Sequence, residues 1–147
     1  MSKRVLVAGA SGFTGALAAQ IVADHPGLEL VAATSRGDVG KRLADLYPRY
    51  RAQIELSELD LENLPEVDAA IVAYPHGAAA PTVAALREQG ILVVDLSADF
   101  RLRDMDTYRR WYGEHGAPDL FGTGVYGLTE MYRDELREAK IVAIHLG

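Results

Sequence analysis

The chain has no cysteine among its 147 residues. That excludes disulfides, thiolate metal sites and a thiol nucleophile, each of which needs the sulfur. Its four histidines, His25, His76, His115 and His145, are too scattered in sequence to suggest a metal cluster, so no metal is expected. A basic excess is also missing. Lysine and arginine number 15 against 21 acids, a net charge of −6, which argues against a partner bound through a phosphate backbone such as a nucleic acid. Long apolar runs are lacking too. The start Met1-Ser2-Lys3-Arg4 is basic, but the apolar residues after it stop at a glycine turn, too soon for a signal peptide or a membrane span. The expectation is a cytoplasmic protein without a membrane partner. No repeats, low-complexity tracts or linkers interrupt the chain.

What is present is ordinary globular composition, 49% hydrophobic and 24% charged, in a length that suits one domain with its own core. The stretch with most chemistry in it is Val5-Leu6-Val7-Ala8-Gly9-Ala10-Ser11-Gly12-Phe13-Thr14-Gly15. An apolar strand runs into three glycines, Gly9, Gly12 and Gly15, and Ala16 to Val22 then reads as a helix. Strand, glycine turn and helix N-terminus in that order form a phosphate cradle. Bare backbone approaches the ligand, and free N–H groups with the helix dipole attract negative charge. The spacing G-x-x-G-x-x-G meets the generic G-x-G-x-x-G dinucleotide pattern only approximately.

Taken in order, residues 3–9 are the first strand, and a helix begins at Phe13 or Thr14 and runs to about His25, closed by Pro26-Gly27. Residues 28–34 form the second strand, ending at Ser35-Arg36-Gly37. In a dinucleotide fold this is where the adenosine ribose is read. An acid here would accept from a free 2′-hydroxyl, whereas Ser35 and Arg36 suit a 2′-phosphate, which favours NADP(H) over NAD. A solvated loop arginine is the competing reading of Arg36. A short helix over 40–47, a modest strand over 52–56 and a strong strand over 67–74 follow, the last broken by Pro75-His76-Gly77. Then come an alanine-rich helix over 78–89, a buried strand over 91–95, and a segment, 96–104, that mixes acid and base. Asp99 and Arg101 there either pair with each other, the favoured reading, or address a bound anion. An amphipathic helix over 105–115 places Tyr108, Trp111 and Tyr112 in the core. A loop over 116–124, a helix capped near Leu128 or Thr129 and running to Ala139, and a strand from Lys140 to Ile144 complete the pattern. Alternating strands and helices with short turns predict a Rossmann-like, doubly wound α/β fold, a mostly parallel sheet with helices on both faces.

Together, Gly9-Ala10-Ser11-Gly12-Phe13-Thr14-Gly15, Pro75-His76-Gly77, Val94-Asp95-Leu96-Ser97-Ala98-Asp99-Phe100-Arg101, Trp111-Tyr112-Gly113-Glu114-His115 and Val125-Tyr126-Gly127-Leu128-Thr129-Glu130 resemble N-acetyl-gamma-glutamyl-phosphate reductase. The resemblance covers essentially all of this chain but only the N-terminal part of the family's. It implies an NADPH-dependent reduction of an acyl phosphate to a semialdehyde in arginine biosynthesis, through a cysteine thioester that accepts hydride. It implies that Gly9, Ser11, Gly12, Phe13, Thr14 and Gly15 hold the pyrophosphate and that Ser35 and Arg36 hold the 2′-phosphate. Pro75, His76 and Gly77 would line the nicotinamide side, and Ser97 and Arg101 would border the substrate pocket. For His76, a turn histidine bonded to backbone is the equal alternative.

Two departures qualify the resemblance. Thr129 stands where the family commonly has proline, a small change at a helix start. After Ile141-Val142-Ala143 the family continues Asn-Pro-Gly-Cys, whereas this chain reads Ile144-His145-Leu146-Gly147, with Gly147 in the nucleophile's place by register. The expectation is a single NADP-binding domain over residues 1–147, with the family's C-terminal substrate and dimerisation domain not included and no catalytic residue present. The acyl phosphate would be a partner only of a full-length member, and association into a homo-oligomer is left open. A stand-alone NADP-binding module and the equivalent domain of an aminoadipate-type acyl-phosphate reductase of lysine biosynthesis are the alternatives.

Overall fold

The computed structural model describes residues 1–144. Gly147, which the register set at the nucleophile's place, lies outside the described residues, as does His145. Two compact units divide the chain, Met1–Ala73 and Tyr74–Gly147.

In the first unit, β1 (Lys3–Ala8), α1 (Phe13–Asp24) and β2 (Leu28–Thr34) form a parallel strand–helix–strand unit. The strand β3 (Ala69–Val72) joins the other edge of β1, giving the order β2-β1-β3 with every pairing parallel. β1 is buried along Val5–Ala8 because both its faces are covered, as a near-continuous apolar run requires in a parallel sheet. Val5, Val7 and Ala33 meet Ala16, Ala19 and Val22 of α1 in one core cluster, with Leu43, Ala52 and Leu56 closing it. The small alanines of α1 let the helix lie close to the strands. Gln20, although polar, is buried there because its Oε1 accepts from the N–H groups of Arg51 and Ala52 and its Nε2 donates to Asp24.

The expected helix over 40–47 is only one turn, α2 (Leu43–Leu46), and the expected strand over 52–56 is a loop. Both differences have one cause. Gly40 sits at φ +86, a left-handed conformation that cannot begin a helix, and the backbone of 54–56 is taken by the segment before α2. Gly40 N donates to Leu56 O, Leu56 N to Lys41 O, and Leu43 N to Ile54 O.

The second unit contains α3 (Ala80–Glu88), β4 (Leu92–Asp95), α4 (Met105–Tyr112), a 3-10 turn at Pro118–Leu120, β5 (Val125–Tyr126), α5 (Thr129–Glu138) and β6 (Ile141–Ala143). β4 and β5 flank β6, again all parallel. The two-residue β5 is absent from the sequence reading, being too short to show periodicity. Thr129 occupies the first position of α5, where a proline is also tolerated, so the family's common residue and this one fit the same site.

The aromatics of α4 part company. Tyr108 is fully buried, against His115 (ring centroids 4.9 Å apart) and Phe121 (5.6 Å), but Trp111 is 73% exposed, contrary to its expected place in the core. α4 is eight residues long, stopped by Gly113 at φ +85, and buries one side chain only. Asp104 caps its start by accepting from Thr107 N. Among the described residues no helix is long and apolar enough to cross a membrane.

Candidate functional site

The first unit carries the glycine turn. Its three glycines are there for three different reasons. Gly9 has φ +83, a conformation closed to most side chains. At Gly15 a Cβ would overlap the Gly9 carbonyl, so this glycine lets α1 start directly against the turn. Gly12 has neither constraint: its φ is −76, and the nearest atom to an added Cβ is Gly9 O at 3.8 Å. Its bareness serves nothing inside the protein and leaves the approach to the helix start open.

That helix start is prepared for an anion. Gly12 is its N-cap and supplies no side-chain cap, and no acid lies in the first turn. The first N–H groups of α1 therefore keep their hydrogen-bonding capacity and the dipole's positive end. The turn itself is pinned from behind. Gly9 N and Ala10 N both donate to Thr34 O, at 3.1 and 2.8 Å, and Tyr47 OH donates to Ser11 O at 2.7 Å. Tyr47 also meets the Phe13 ring edge-on at 6.0 Å, and Phe13 is itself 82% exposed.

Ser11 and Ser35, 24 residues apart in sequence, are joined directly: Ser35 Oγ donates to Ser11 Oγ at 2.9 Å and accepts from Asp38 N at 3.1 Å. The pyrophosphate residues and the ribose residues of the sequence reading are thus one hydrogen-bonded surface. Arg36 follows, exposed, at the end of β2. Tyr47 is the residue here that sequence reasoning missed; only its place in an aromatic pair with Tyr50 (5.5 Å) marks it.

In the second unit the turn Pro75-His76-Gly77 is exposed and precedes α3. Asp99 holds it. This buried carboxylate accepts from Gly77 N (2.7 Å) and Tyr108 OH (2.8 Å) on one oxygen and from Ala80 N (2.9 Å) on the other. His76 Nδ1 accepts from Ala98 N at 2.9 Å, so the backbone-bonded alternative describes one of its ring nitrogens. The expected Asp99–Arg101 ion pair is not formed, because three donors already satisfy the acid. Arg101 Nη2 instead donates to Ser97 O (3.0 Å) and Ile144 O (3.1 Å), and its buried Nε has no partner.

Ser97 is fully buried. Its hydroxyl donates to Asp95 Oδ2 at 2.7 Å and accepts from Asp99 N at 3.0 Å, which commits it internally. Burial raises the Asp95 pKa; the Ser97 bonds and the Arg101 charge oppose the shift, and the Asp99 charge adds to it. Tyr108 is pushed up as well, first by burial and then by its bond to Asp99. Sequence reasoning placed Asp99 in an ion pair and missed its role as the acceptor that fixes the 76–80 turn. It also left His115 unassigned. That histidine is buried, with Nε2 against Asp99 O at 2.6 Å and Nδ1 accepting from Ala117 N. No group of three histidine, cysteine, aspartate or glutamate side chains arranged for a metal occurs among the described residues.

A parallel β1-α1-β2 unit with a glycine turn, an open helix start and paired hydroxyls at the end of β2 defines a Rossmann-like dinucleotide-binding domain. Residues 4–139 match the family model of the semialdehyde dehydrogenase NAD-binding domain, and the chain belongs to that family. It is 43% identical over 140 residues to N-acetyl-gamma-glutamyl-phosphate reductase of Cellvibrio japonicus, covering 93% of this chain and 40% of that protein. Its identity to the protein of that name from Saccharophagus degradans is 42% over 143 residues, 95% of this chain and 41% of the relative. The chain thus spans about two-fifths of the length of these curated relatives. Among solved structures, aspartate semialdehyde dehydrogenase with NADP from Candida albicans superposes with a TM-score of 0.64 over 98% of this chain and 42% of its own. At 17% identity that likeness speaks for the fold alone.

Proposed function

We propose that this chain is the NADP(H)-binding part of an N-acetyl-gamma-glutamyl-phosphate reductase. The observation that carries the cofactor reading is Gly12, a glycine no internal contact requires, at an uncapped helix start with no acid in its first turn. The family model supports a dinucleotide, and the relatives' name supports the reductase. Gly9, Ser11, Gly12, Phe13, Thr14 and Gly15 would hold the pyrophosphate, with the α1 N–H groups and the Ser11 hydroxyl as donors. Ser35 and Arg36 would hold the 2′-phosphate. Pro75, His76 and Gly77 would contact the nicotinamide half, and Arg101 the substrate, with Ser97 acting through Asp95 and through the carbonyl that holds Arg101.

NADPH supplies a hydride when bound. The residues above bind and orient it, and no step of thioester chemistry is assigned to a chain without cysteine. The same proposal includes a cytoplasmic location, an acyl-phosphate partner for the longer relatives, and self-association as an open property.

The test is a pair of titrations. NADPH should bind more tightly than NADH, and Arg36→Ala should remove most of that preference, a loss of about 1.5–3 kcal/mol for a charge-assisted bond to phosphate. Equal affinity for the two cofactors in the unmutated protein would overturn the assignment of Ser35 and Arg36.

A further inference from the structure

The two faces of the sheet in the first unit are covered differently. Val5, Val7 and Ala33 point into the α1 cluster, and the residues alternating with them, Leu6, Ala32 and Thr34, face the other way. That second face is roofed by the irregular segment 57–65 rather than by a helix, and a pocket of about 110 Å³ is left beneath it. Leu6, Leu59 and Leu64 give the pocket apolar walls. Among them Thr34, only 3% exposed, carries a buried hydroxyl with no hydrogen-bond partner.

An unbonded hydroxyl in an apolar wall costs stability, and a valine would fill the same space without that cost. The hold of Thr34 on the glycine turn does not need the hydroxyl either, since it is the carbonyl that accepts from Gly9 N and Ala10 N. The hydroxyl is thus left for a group that enters the pocket. Charge at the mouth restricts what that group belongs to. Glu58 and Asp60 line the pocket, no lysine or arginine does, and residues 55–68 hold six acids without a base. Asp60 is held below the usual carboxylate range, chiefly by the Asn63 side-chain amide and then by Glu62 N, and those bonds occupy its oxygens. The Glu58 carboxylate is left to meet a ligand. Anions, phosphates among them, are repelled from such a mouth, and a cation is drawn to it.

We propose that this pocket binds a small organic cation with a hydrogen-bonding group on a short apolar stem, the class of a short amino alcohol, its hydroxyl on Thr34 Oγ1 and its ammonium at Glu58. The volume sets the size: at roughly 30 Å³ for each water-sized group, about four heavy atoms fit. The site lies wholly within the first unit. It is opposite in charge preference to the phosphate cradle and stands independently of the cofactor reading.

The experiment follows the methyl signals of Leu6 and Leu64 by carbon-13 NMR in the whole chain while ethanolamine, ethylamine, ethylene glycol or inorganic phosphate is added at neutral pH. Ethanolamine should give a saturating shift. Ethylamine lacks the hydroxyl and ethylene glycol lacks the charge, so each should bind roughly fivefold more weakly, the size expected for one lost hydrogen bond. Phosphate should leave the signals in place. Thr34→Val should bring ethanolamine down to the affinity of ethylamine, and Glu58→Gln should bring it down to that of ethylene glycol. Without ligand, Thr34→Val should melt no lower than the unmutated protein, because its hydroxyl has no partner to lose. Signals that follow the three organic probes alike, or follow none of them, would overturn the proposal. So would a Thr34→Val protein with full ethanolamine affinity. A Thr34→Val protein that melts lower would overturn it too, by showing that an ordered water already serves the hydroxyl. The ranking of the four probes on the unmutated protein decides independently of either variant.

Discussion

At the scale of single residues, the glycines of the turn separate folding from binding. Gly12→Ala places a methyl group no nearer than 3.8 Å to any internal atom, whereas at Gly15 the same methyl group overlaps backbone. Gly12→Ala should melt close to the unmutated protein and lose NADPH binding, because the methyl group stands where a phosphate must approach the helix start. Gly15→Ala should melt well below it, since α1 must move off the turn. Thermal unfolding with and without cofactor checks both. A Gly12→Ala protein that binds NADPH normally would remove the main support for the phosphate cradle. The Ser11–Ser35 bond belongs to this scale too. Sequence offers each serine as a candidate cofactor contact but says nothing of their bond, because a 24-residue separation carries no signal of proximity.

At the scale of elements, the segment leaving β4 is built on two buried acids whose bonds run within it, to the start of α3 and the turn before it, and to Tyr108 of α4. Asp95 has a raised pKa, so the folded chain holds its proton to higher pH than the unfolded chain does. Its contribution to stability is present at low pH and diminishes as pH rises from the ordinary aspartate range through the raised value. Asp95→Asn keeps an acceptor for Ser97 and cannot ionise. Stability measured in denaturant across pH 3–7, the range spanning ordinary and raised carboxylate values, should therefore gain relative to the unmutated protein as pH increases. A constant difference between the two proteins would show that Asp95 titrates as an ordinary surface acid. The same acids explain why the Asp99–Arg101 pairing was misread. Spacing brings opposite charges near each other, but it does not count backbone donors. Here two N–H groups and a tyrosine hydroxyl reach Asp99 first. Element types were otherwise readable from periodicity and punctuation; the 52–56 strand failed because its backbone partners lie in the 40–43 segment, a non-local choice.

At the scale of the whole molecule, the decisive fact is chemical. The reductase chemistry that the resemblance implies would pass through a thiolate, and none of the 147 residues is cysteine. Phosphate-dependent oxidation of a semialdehyde with NADP by this chain alone should be undetectable in a spectrophotometric assay of NADPH formation. Measurable turnover would require a nucleophile of another kind and would refute the expectation.

The sequence by itself determined the α/β class, the glycine turn, the cofactor family and the want of a thiol, because these depend on residue type and short-range spacing. Tertiary structure alone decided which glycine no internal contact requires, that Ser97 turns inward, that Trp111 stays exposed and that Asp99 rather than a counter-charge secures the 76–80 turn. Those outcomes depend on which donors and surfaces arrive from distant parts of the chain. A buried acid takes the partners that reach it, and only the folded backbone says which ones do.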